Sequence, residues 1–316
     1  MFKITNQNLN IMKKQTLIFG LVALMGLFIL TGCEEKEDEM KPVSDMSIAE
    51  YASSDSNFSL LVAALAKAEL VDVLSGSGNF TVFAPTNDAF NALFSELGIS
   101  GIAELSKETL TPILLYHVLG TEAKSSMIMS GYYNTLSPAQ GSYLSLKADV
   151  TSSVKLNKNT NVTKADIDVK NGVIHVIDRV LLPPTVVDQA LNNDSFSILV
   201  QAVVKANLVD ALNDNGPFTI FAPTNAAFET LFSTLGISGI ADLTEEQLAP
   251  ILTYHVVSGN VLSTQLSEGA VPTLNGESLS VSLSPAPEIN GTAKIVVTDV
   301  QASNGVIHVI DSVLLP

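Results

Sequence analysis

Histidine is the residue type in this chain best suited to chemistry near neutral pH, because imidazole both moves protons and binds metals. The chain has four: His117, His175, His255 and His308. His117 and His255 continue apolar stripes at helical spacing, and His175 and His308 alternate with valine and isoleucine on one strand face. We therefore expect core histidines, hydrogen-bonded to backbone or hydroxyl partners, with metal ligation as the alternative. We expect no cofactor.

The other reactive side chains do not form a catalytic set. Tyr116 and Tyr254 either present an aromatic edge to a partner or lie half-buried at a helix end. Asp178 and Asp311 follow apolar strands, where we expect them to fix a turn or pair locally instead of abstracting protons. The segment 98–101 (GISG) lacks the Gly-x-Ser-x-Gly turn of a nucleophilic serine. The sequence therefore predicts a protein that is not an enzyme.

The N-terminus has the layout of an export signal. Lys13 and Lys14 precede an apolar run at 17–30, which is too short for an ordinary membrane-spanning helix. The run ends in Leu-Thr-Gly-Cys, which resembles the bacterial lipoprotein cleavage box, and Cys33 is the only cysteine. We expect a signal peptide over 1–33, lipidation of Cys33 and membrane attachment through that lipid.

An acidic tether over 34–46 follows Cys33, and charge of this density is typical of a solvated spacer. It also looks like the surface-export signal of Bacteroidota lipoproteins. We expect an outer membrane lipoprotein displayed on the cell surface; display toward the periplasm is the alternative.

The net charge excludes one class of partner. It is −16 for the whole chain, and loss of the three leader lysines leaves 13 basic against 32 acidic residues, a net charge of −19. Nucleic-acid binding needs a clustered basic surface, whereas this chain has a single arginine, Arg179. Nucleic acid is therefore not an expected partner.

An internal duplication organises the rest of the chain. Residues 80–87 (FTVFAPTN) return as 218–225 (FTIFAPTN), a shift of 138 positions. Residues 171–178 (NGVIHVID) return as 304–311 with a shift of 133, so the second copy lacks five residues in between. We expect two domains, 47–183 and 184–316, joined near Pro183-Pro184.

Each copy changes from helical to extended periodicity along its length, which predicts an α+β fold with a mostly antiparallel sheet. In the first copy we expect helices around 60–68, from Thr86 to Gly98, and from Ser106 onward. The predicted extended segments are 80–83, 143–147, Val154–Leu156, 167–169 and 173–182, with a hairpin turn at Asn171-Gly172.

Three duplicated segments carry a family resemblance: 80–87, the Tyr-His pair at 116–117, and 171–178. They resemble the hallmark segments of fasciclin-like domains. The resemblance covers roughly 47–316 and implies two tandem domains, each a β-strand wedge or sandwich with helices packed around it. It also implies adhesion or matrix contact without a common enzymatic activity.

In animal members of the family, an Asp near the first segment and the Tyr-His region are implicated in receptor binding. The resemblance therefore gives a set of partner-binding candidates, in which the second copy has Ala226 at the place of Asp88. The candidates are Asn87, Asp88, Tyr116, His117, Asn225, Tyr254 and His255.

Three functions remain open from the sequence. The first is adhesion through protein or polysaccharide ligands of the matrix or of neighbouring cells, with two copies raising avidity. The second is a structural envelope lipoprotein that faces the periplasm. The third is a glycan-acting enzyme or transport-associated factor, which would need a polar cleft.

Overall fold

The computed structural model describes residues 41–214 and 216–316, and the chain from Lys41 to Pro316 forms one compact unit. The predicted signal peptide, Cys33 and most of the acidic tether lie outside the described residues. Within the described part of the chain, no helix combines the length and apolarity needed to cross a bilayer.

Helices make up most of the beginning of the first copy, as the periodicity predicts. Ser47 begins the first helix with a capping box shared with Glu50. Thr86 accepts a hydrogen bond from the backbone of Ala89, and Gly98 ends that helix at φ 67°, as predicted. The helices are α1 (Ile48–Ser54), α2 (Ser59–Lys67), α3 (Val71–Ser75), α4 (Asn87–Leu97) and α5 (Lys107–Tyr116).

Seven strands of the first copy form a sheet that closes on itself. β1 pairs in parallel with β7 and antiparallel with β2, and the single pair Leu119–Thr135 joins β2 to β3. The remaining pairings are antiparallel. The strands are β1 (Phe80–Pro85), β2 (Val118–Leu119), β3 (Gly131–Ala139), β4 (Ser142–Val150), β5 (Val154–Leu156), β6 (Thr160–Val169) and β7 (Gly172–Ile177).

The second copy repeats this order with a sheet that stays open between its two edge strands, β9 and β10. β14 and β8 form its parallel pair. Its helices are α6 (Val186–Leu191), α7 (Ser197–Lys205), α8 (Val209–Asp214), α9 (Asn225–Leu235) and α10 (Glu245–Tyr254). Its strands are β8 (Phe218–Pro223), β9 (Val256–Ser258), β10 (Gly269–Pro272), β11 (Ser278–Ser282), β12 (Glu288–Ile289), β13 (Ala293–Ala302) and β14 (Gly305–Ile310).

The structure locates the five residues that the second copy lacks. The shift between equivalent residues is 138 at Gly131 but 133 at Ala148, because Gly131 pairs with Ala148 and Gly269 pairs with Val281. It is still 133 at Asn157, whose equivalent Asn290 makes the same hydrogen bond to a tyrosine hydroxyl. All five residues are therefore missing from the β3–β4 hairpin, between Thr135 and Leu144. The shorter hairpin explains why β10 is short and stays at the sheet edge.

Each copy has two apolar clusters, one on either face of its sheet. In β1, Val82 and Ala84 face the helices, while Phe83 faces the closed side of the sheet. Because successive side chains of a strand point to opposite faces of the sheet, β1 contributes to both clusters. The second copy has the corresponding pair of clusters. Two copies with their own cores agree with the predicted tandem arrangement.

Several sequence predictions need correction. The parallel β1–β7 pair was not expected, and neither were β3, α1 and α3. The closing strand ends at Ile177 instead of residue 182. The hairpin turn consists of Lys170 and Asn171, because Val169 already pairs with Gly172.

Candidate functional site

The Tyr-His segment ends α5 and belongs to the interior. His117 is 2% exposed; its Nδ1 lies 2.7 Å from the carbonyl oxygen of Ile113, and its Nε2 accepts the backbone N–H of Leu181 at 2.9 Å. These contacts fit a neutral ring protonated on Nδ1. Burial lowers the pKa of His117 to about 4. The prediction of a hydrogen-bonded core histidine is confirmed.

The second copy repeats this geometry. His255 Nδ1 lies 2.8 Å from the Ile251 carbonyl oxygen, and Nε2 accepts the Leu314 N–H at 2.9 Å. Burial lowers the pKa of His255 to about 4 as well. In both copies the imidazole thus connects the end of a helix to the segment after the last strand.

The strand histidines use the other tautomer. His175 Nδ1 accepts the backbone N–H of Asp166 at 3.2 Å, and Nε2 lies 2.9 Å from the Ala123 carbonyl oxygen. His308 makes the same two contacts with Asp299 and Val261. Burial lowers the pKa of both rings. These are also core histidines, as predicted.

The two tyrosines of the Tyr-His segments are buried as well. The Tyr116 hydroxyl donates to the Ser145 carbonyl at 3.0 Å and accepts from the Asn157 side chain at 3.0 Å. Burial raises the pKa of Tyr116. Tyr254 accepts from Asn290 at 2.9 Å in the second copy. The structure assigns Tyr116, His117, Tyr254 and His255 to the interior instead of to a partner-facing surface.

The side chains of Asn87 and Asn225 form hydrogen bonds to backbone groups of a preceding segment of the same copy. The Asn87 side chain accepts the Leu60 N–H at 2.9 Å and donates to the Ser56 carbonyl at 2.8 Å. Asn225 makes equivalent contacts to Ile198 and Asp194. The amides of both side chains are thus engaged at the start of α2 and α7.

Asp88 differs from the other family-derived candidates because it is exposed at the start of α4. Its equivalent, Ala226, is also exposed. The two copies therefore present different chemistry at the same surface position.

The aspartates that follow the last strands pair locally, as predicted. Asp178 accepts the backbone and side-chain N–H groups of Asn161, both at 2.7 Å, and Asp311 accepts the Lys294 N–H at 2.8 Å. Over residues 41–214 and 216–316, no group of His, Cys, Asp and Glu is arranged to hold a metal ion.

A buried polar network joins the two copies. The Ser145 carbonyl accepts from the Gln189 side chain at 2.7 Å, and the Ser145 hydroxyl accepts the Gln301 N–H at 2.9 Å. Gln189 also donates to the Gln301 carbonyl at 3.1 Å, and both glutamines are fully buried. Tyr116 bonds to the same Ser145 carbonyl, so the Tyr-His segment of the first copy supports the junction from inside.

Further contacts surround this network and fix the two copies relative to one another. The Asn193 side chain donates to the Tyr132 hydroxyl at 2.9 Å, and Tyr132 packs against the core of the second copy. Lys158 pairs with Asp194 across the junction at 2.6 Å. The tandem pair is thus one unit with a fixed geometry.

A polar cleft of about 610 Å³ lies at this junction. Buried Lys147 pairs with the Asp149 carboxylate there, and its ammonium lies 5.8 Å from the centre of the Tyr132 ring. Both copies contribute to the lining, which consists of Ser130, Gly131, Tyr132, Asn134, Ser145, Lys147, Asp149, Asn193, Asp194, Ser195, Val297, Thr298 and Asp299.

The volume of the cleft lies in the range of small-molecule ligand sites. Its amides and hydroxyls both donate and accept hydrogen bonds, and its lysine is already paired with a carboxylate. Sequence reasoning missed this site, because its residues come from segments far apart in the chain. One local signal exists: along β4 the polar residues Ser145, Lys147 and Asp149 alternate with apolar ones, which indicates a polar strand face.

Comparison with known proteins agrees with this architecture. The fasciclin domain model matches residues 56–183 and 194–316, so the chain belongs to the fasciclin domain family. Protein sll1483 of Synechocystis is 46% identical over 132 residues, which are 42% of this chain and 73% of that protein. Human periostin is 30% identical over 256 residues, which cover 78% of this chain but only 30% of periostin.

A solved structure, the FAS1 domain pair of the insect cell adhesion molecule fasciclin I, is also similar. It is 18% identical with a TM-score of 0.46, and the match covers 85% of this chain and 96% of that one. The prediction of an α+β protein with tandem fasciclin domains is confirmed.

Proposed function

We propose that this chain is a lipid-anchored protein of the outer membrane, displayed on the cell surface, which binds polysaccharide or matrix ligands and so mediates adhesion. The observation that carries the binding proposal is the polar cleft between two firmly joined fasciclin domains. The proposal of membrane attachment rests on Cys33, and the proposal of surface display rests on the acidic tether.

The charges around the cleft favour a neutral polar ligand. Asp149 and Asp194 each pair with a lysine, and the protein as a whole is strongly acidic. A polyanion would be repelled, whereas the hydroxyls of a neutral polysaccharide match the amides and hydroxyls of the lining.

A large side chain placed in the cleft tests whether the cleft is the binding site. Asn134 is exposed within the cleft, and in the described part of the chain its side chain has no hydrogen-bond partner, so Asn134→Arg should leave folding intact. Ser95→Arg adds the same side chain to the exposed face of α4, outside the cleft, and serves as the matched control. Neutral and anionic polysaccharides and matrix proteins are the probes, each measured by direct binding.

We expect saturable binding of a neutral polysaccharide that Asn134→Arg reduces at least about tenfold and Ser95→Arg leaves unchanged. A lack of binding to every probe would overturn the adhesion proposal. Binding that neither variant changes would keep adhesion but move the site away from the cleft.

Asp88 is a second candidate contact, for protein ligands. Asp88→Ala gives the first copy the residue of the second, and Ala226→Asp makes the reverse change. If Asp88 contacts a partner, the first variant weakens binding to matrix protein and the second does not. Equal binding by both variants would remove Asp88 from the proposal.

A structural lipoprotein facing the periplasm is the alternative, and protease treatment of intact cells separates the two. Cleavage of the protein on whole cells supports surface display, whereas cleavage only after the outer membrane is opened supports the alternative.

A glycan-acting enzyme would also use a polar cleft, but the cleft carboxylates do not favour it. General-acid catalysis on glycosides needs a carboxyl group with a raised pKa. The Lys158 ammonium instead lowers the pKa of Asp194. The Asp149 carboxylate is paired with Lys147, and the Asp299 carboxylate accepts hydrogen bonds from the backbone and the hydroxyl of Ser263.

A further inference from the structure

The second copy contains an apolar cavity of about 120 Å³ between its helices and its sheet. Helices α6, α7 and α8 cover one side, and strands β8 and β14 form the other. Seventeen residues line it, and all are apolar except His255. Both ring nitrogens of His255 are already engaged with the backbone. The lining therefore offers a ligand van der Waals contact and no hydrogen bond.

The duplication provides an internal reference for this cavity. The equivalent space in the first copy is only about 20 Å³ and is lined by Tyr51, among others. The second copy has Gln189 at that position, and Gln189 turns away into the junction between the copies. The second copy also has Val203 where the first has the larger Leu65. The loss of two larger side chains accounts for the greater volume.

The cavity of the second copy also has an apolar rim. Leu191 and Val204 line it and are 47% and 61% exposed. The first copy has Ser53 and Ala66 at these positions. An apolar surface thus leads from solvent into the cavity in the second copy alone.

We propose that this cavity binds the end of a hydrocarbon chain, with the rest of the chain passing over Leu191 and Val204 into solvent. The volume supports this, because an apolar cavity of comparable size, about 150 Å³, stays dry and takes up benzene. The exposed apolar rim favours a hydrocarbon chain over a small molecule that fits wholly inside the cavity. Only a chain would extend from the cavity over Leu191 and Val204 and contact them. The site is separate from the polar cleft and does not depend on it.

The test uses decanoate and benzene as probes on the chain lacking residues 1–33, with the methyl groups of valine, leucine and isoleucine observed by NMR. Decanoate should shift cavity methyl signals such as those of Val186 and Leu199 in a saturable way. The equivalent methyls of the first copy, Ile48 and Leu61, should not shift.

Two kinds of variant test the cavity and its rim separately. Val203→Leu introduces the residue of the first copy and should weaken decanoate binding by about tenfold, the effect of removing space for one methylene. Val204→Asp changes only the rim and should weaken decanoate but not benzene. Ala66→Asp, the same change in the first copy, is the matched control.

Each result of the decanoate and benzene experiments supports or excludes one part of the proposal. Saturable decanoate binding that is confined to the second copy and weakened by Val203→Leu supports the proposal. Benzene binding without decanoate binding would overturn the assignment of a chain. The cavity itself would be excluded as a site if neither probe bound, if both copies responded equally, or if Val203→Leu had no effect.

Discussion

Mild acid should destabilise this protein through His117 and His255, which are buried as neutral rings. Each ring uses one nitrogen as a donor and the other as an acceptor, so protonation would place an N–H against the backbone N–H of Leu181 or Leu314. The folded-state pKa of each is about 4, below the ordinary value of 6.5. Between pH 6.5 and pH 4 the unfolded chain therefore binds more protons than the folded protein does. The free energy of unfolding accordingly falls as the pH falls through this range.

The magnitude follows from the two pKa values. A shift of one pKa unit corresponds to about 1.4 kcal/mol, so lowering the pH from 7 to 5 should cost about 2 kcal/mol per histidine and about 4 kcal/mol for both. Urea unfolding at fixed pH values between 7 and 5 measures this loss. His117→Gln, which does not titrate, should be less stable at pH 7 but should lose about 2 kcal/mol less than the parent protein on acidification, because the other three histidines still titrate.

Two results would contradict this pH dependence of stability. One is an unfolding free energy that stays constant from pH 7 to 5. The other is an NMR titration in which either ring becomes protonated above pH 6 in the folded protein.

Three further changes test the packing. Gly172→Ala would place a Cβ 2.0 Å from the carbonyl oxygen of the paired strand β1, so it should destabilise far more than Gly141→Ala, which has a positive φ but open space; thermal unfolding compares them. Asn171→Ala removes hydrogen bonds to three backbone groups and should cost about 3 kcal/mol in urea unfolding, and a loss below 1 kcal/mol would contradict that. Gln189→Ala leaves the Ser145 carbonyl with one donor fewer at the junction and should lower the temperature at which the two copies unfold together; an unchanged melting curve would argue against a fixed pair.

Local features of the fold could be predicted because each depends on neighbouring residues. Thr86 and Gly98 are the boundaries of α4, since a hydroxyl cap and a left-handed glycine act within one helical turn. The inward direction of the histidines followed from periods of two and 3.6. The duplication then extended each prediction to the second copy.

Features that join distant segments could not be predicted. The parallel β1–β7 pair joins the first strand of a copy to its last, and no local pattern encodes it. The cleft depends on how β4 of one copy meets β13 of the other. The family resemblance indicated the Tyr-His segment as a partner-binding candidate. The burial of Tyr116 could not be predicted, because it depends on the strands that cover this residue.

Mapping a bound neutral oligosaccharide onto the protein by NMR tests binding through the cleft most directly. We expect the perturbed residues to cluster in the cleft, around Tyr132, Asn134 and Asn193, and to come from both copies. Perturbations confined to one copy away from the junction, or centred on Asp88, would contradict the claim that the tandem pair binds through the cleft between its domains.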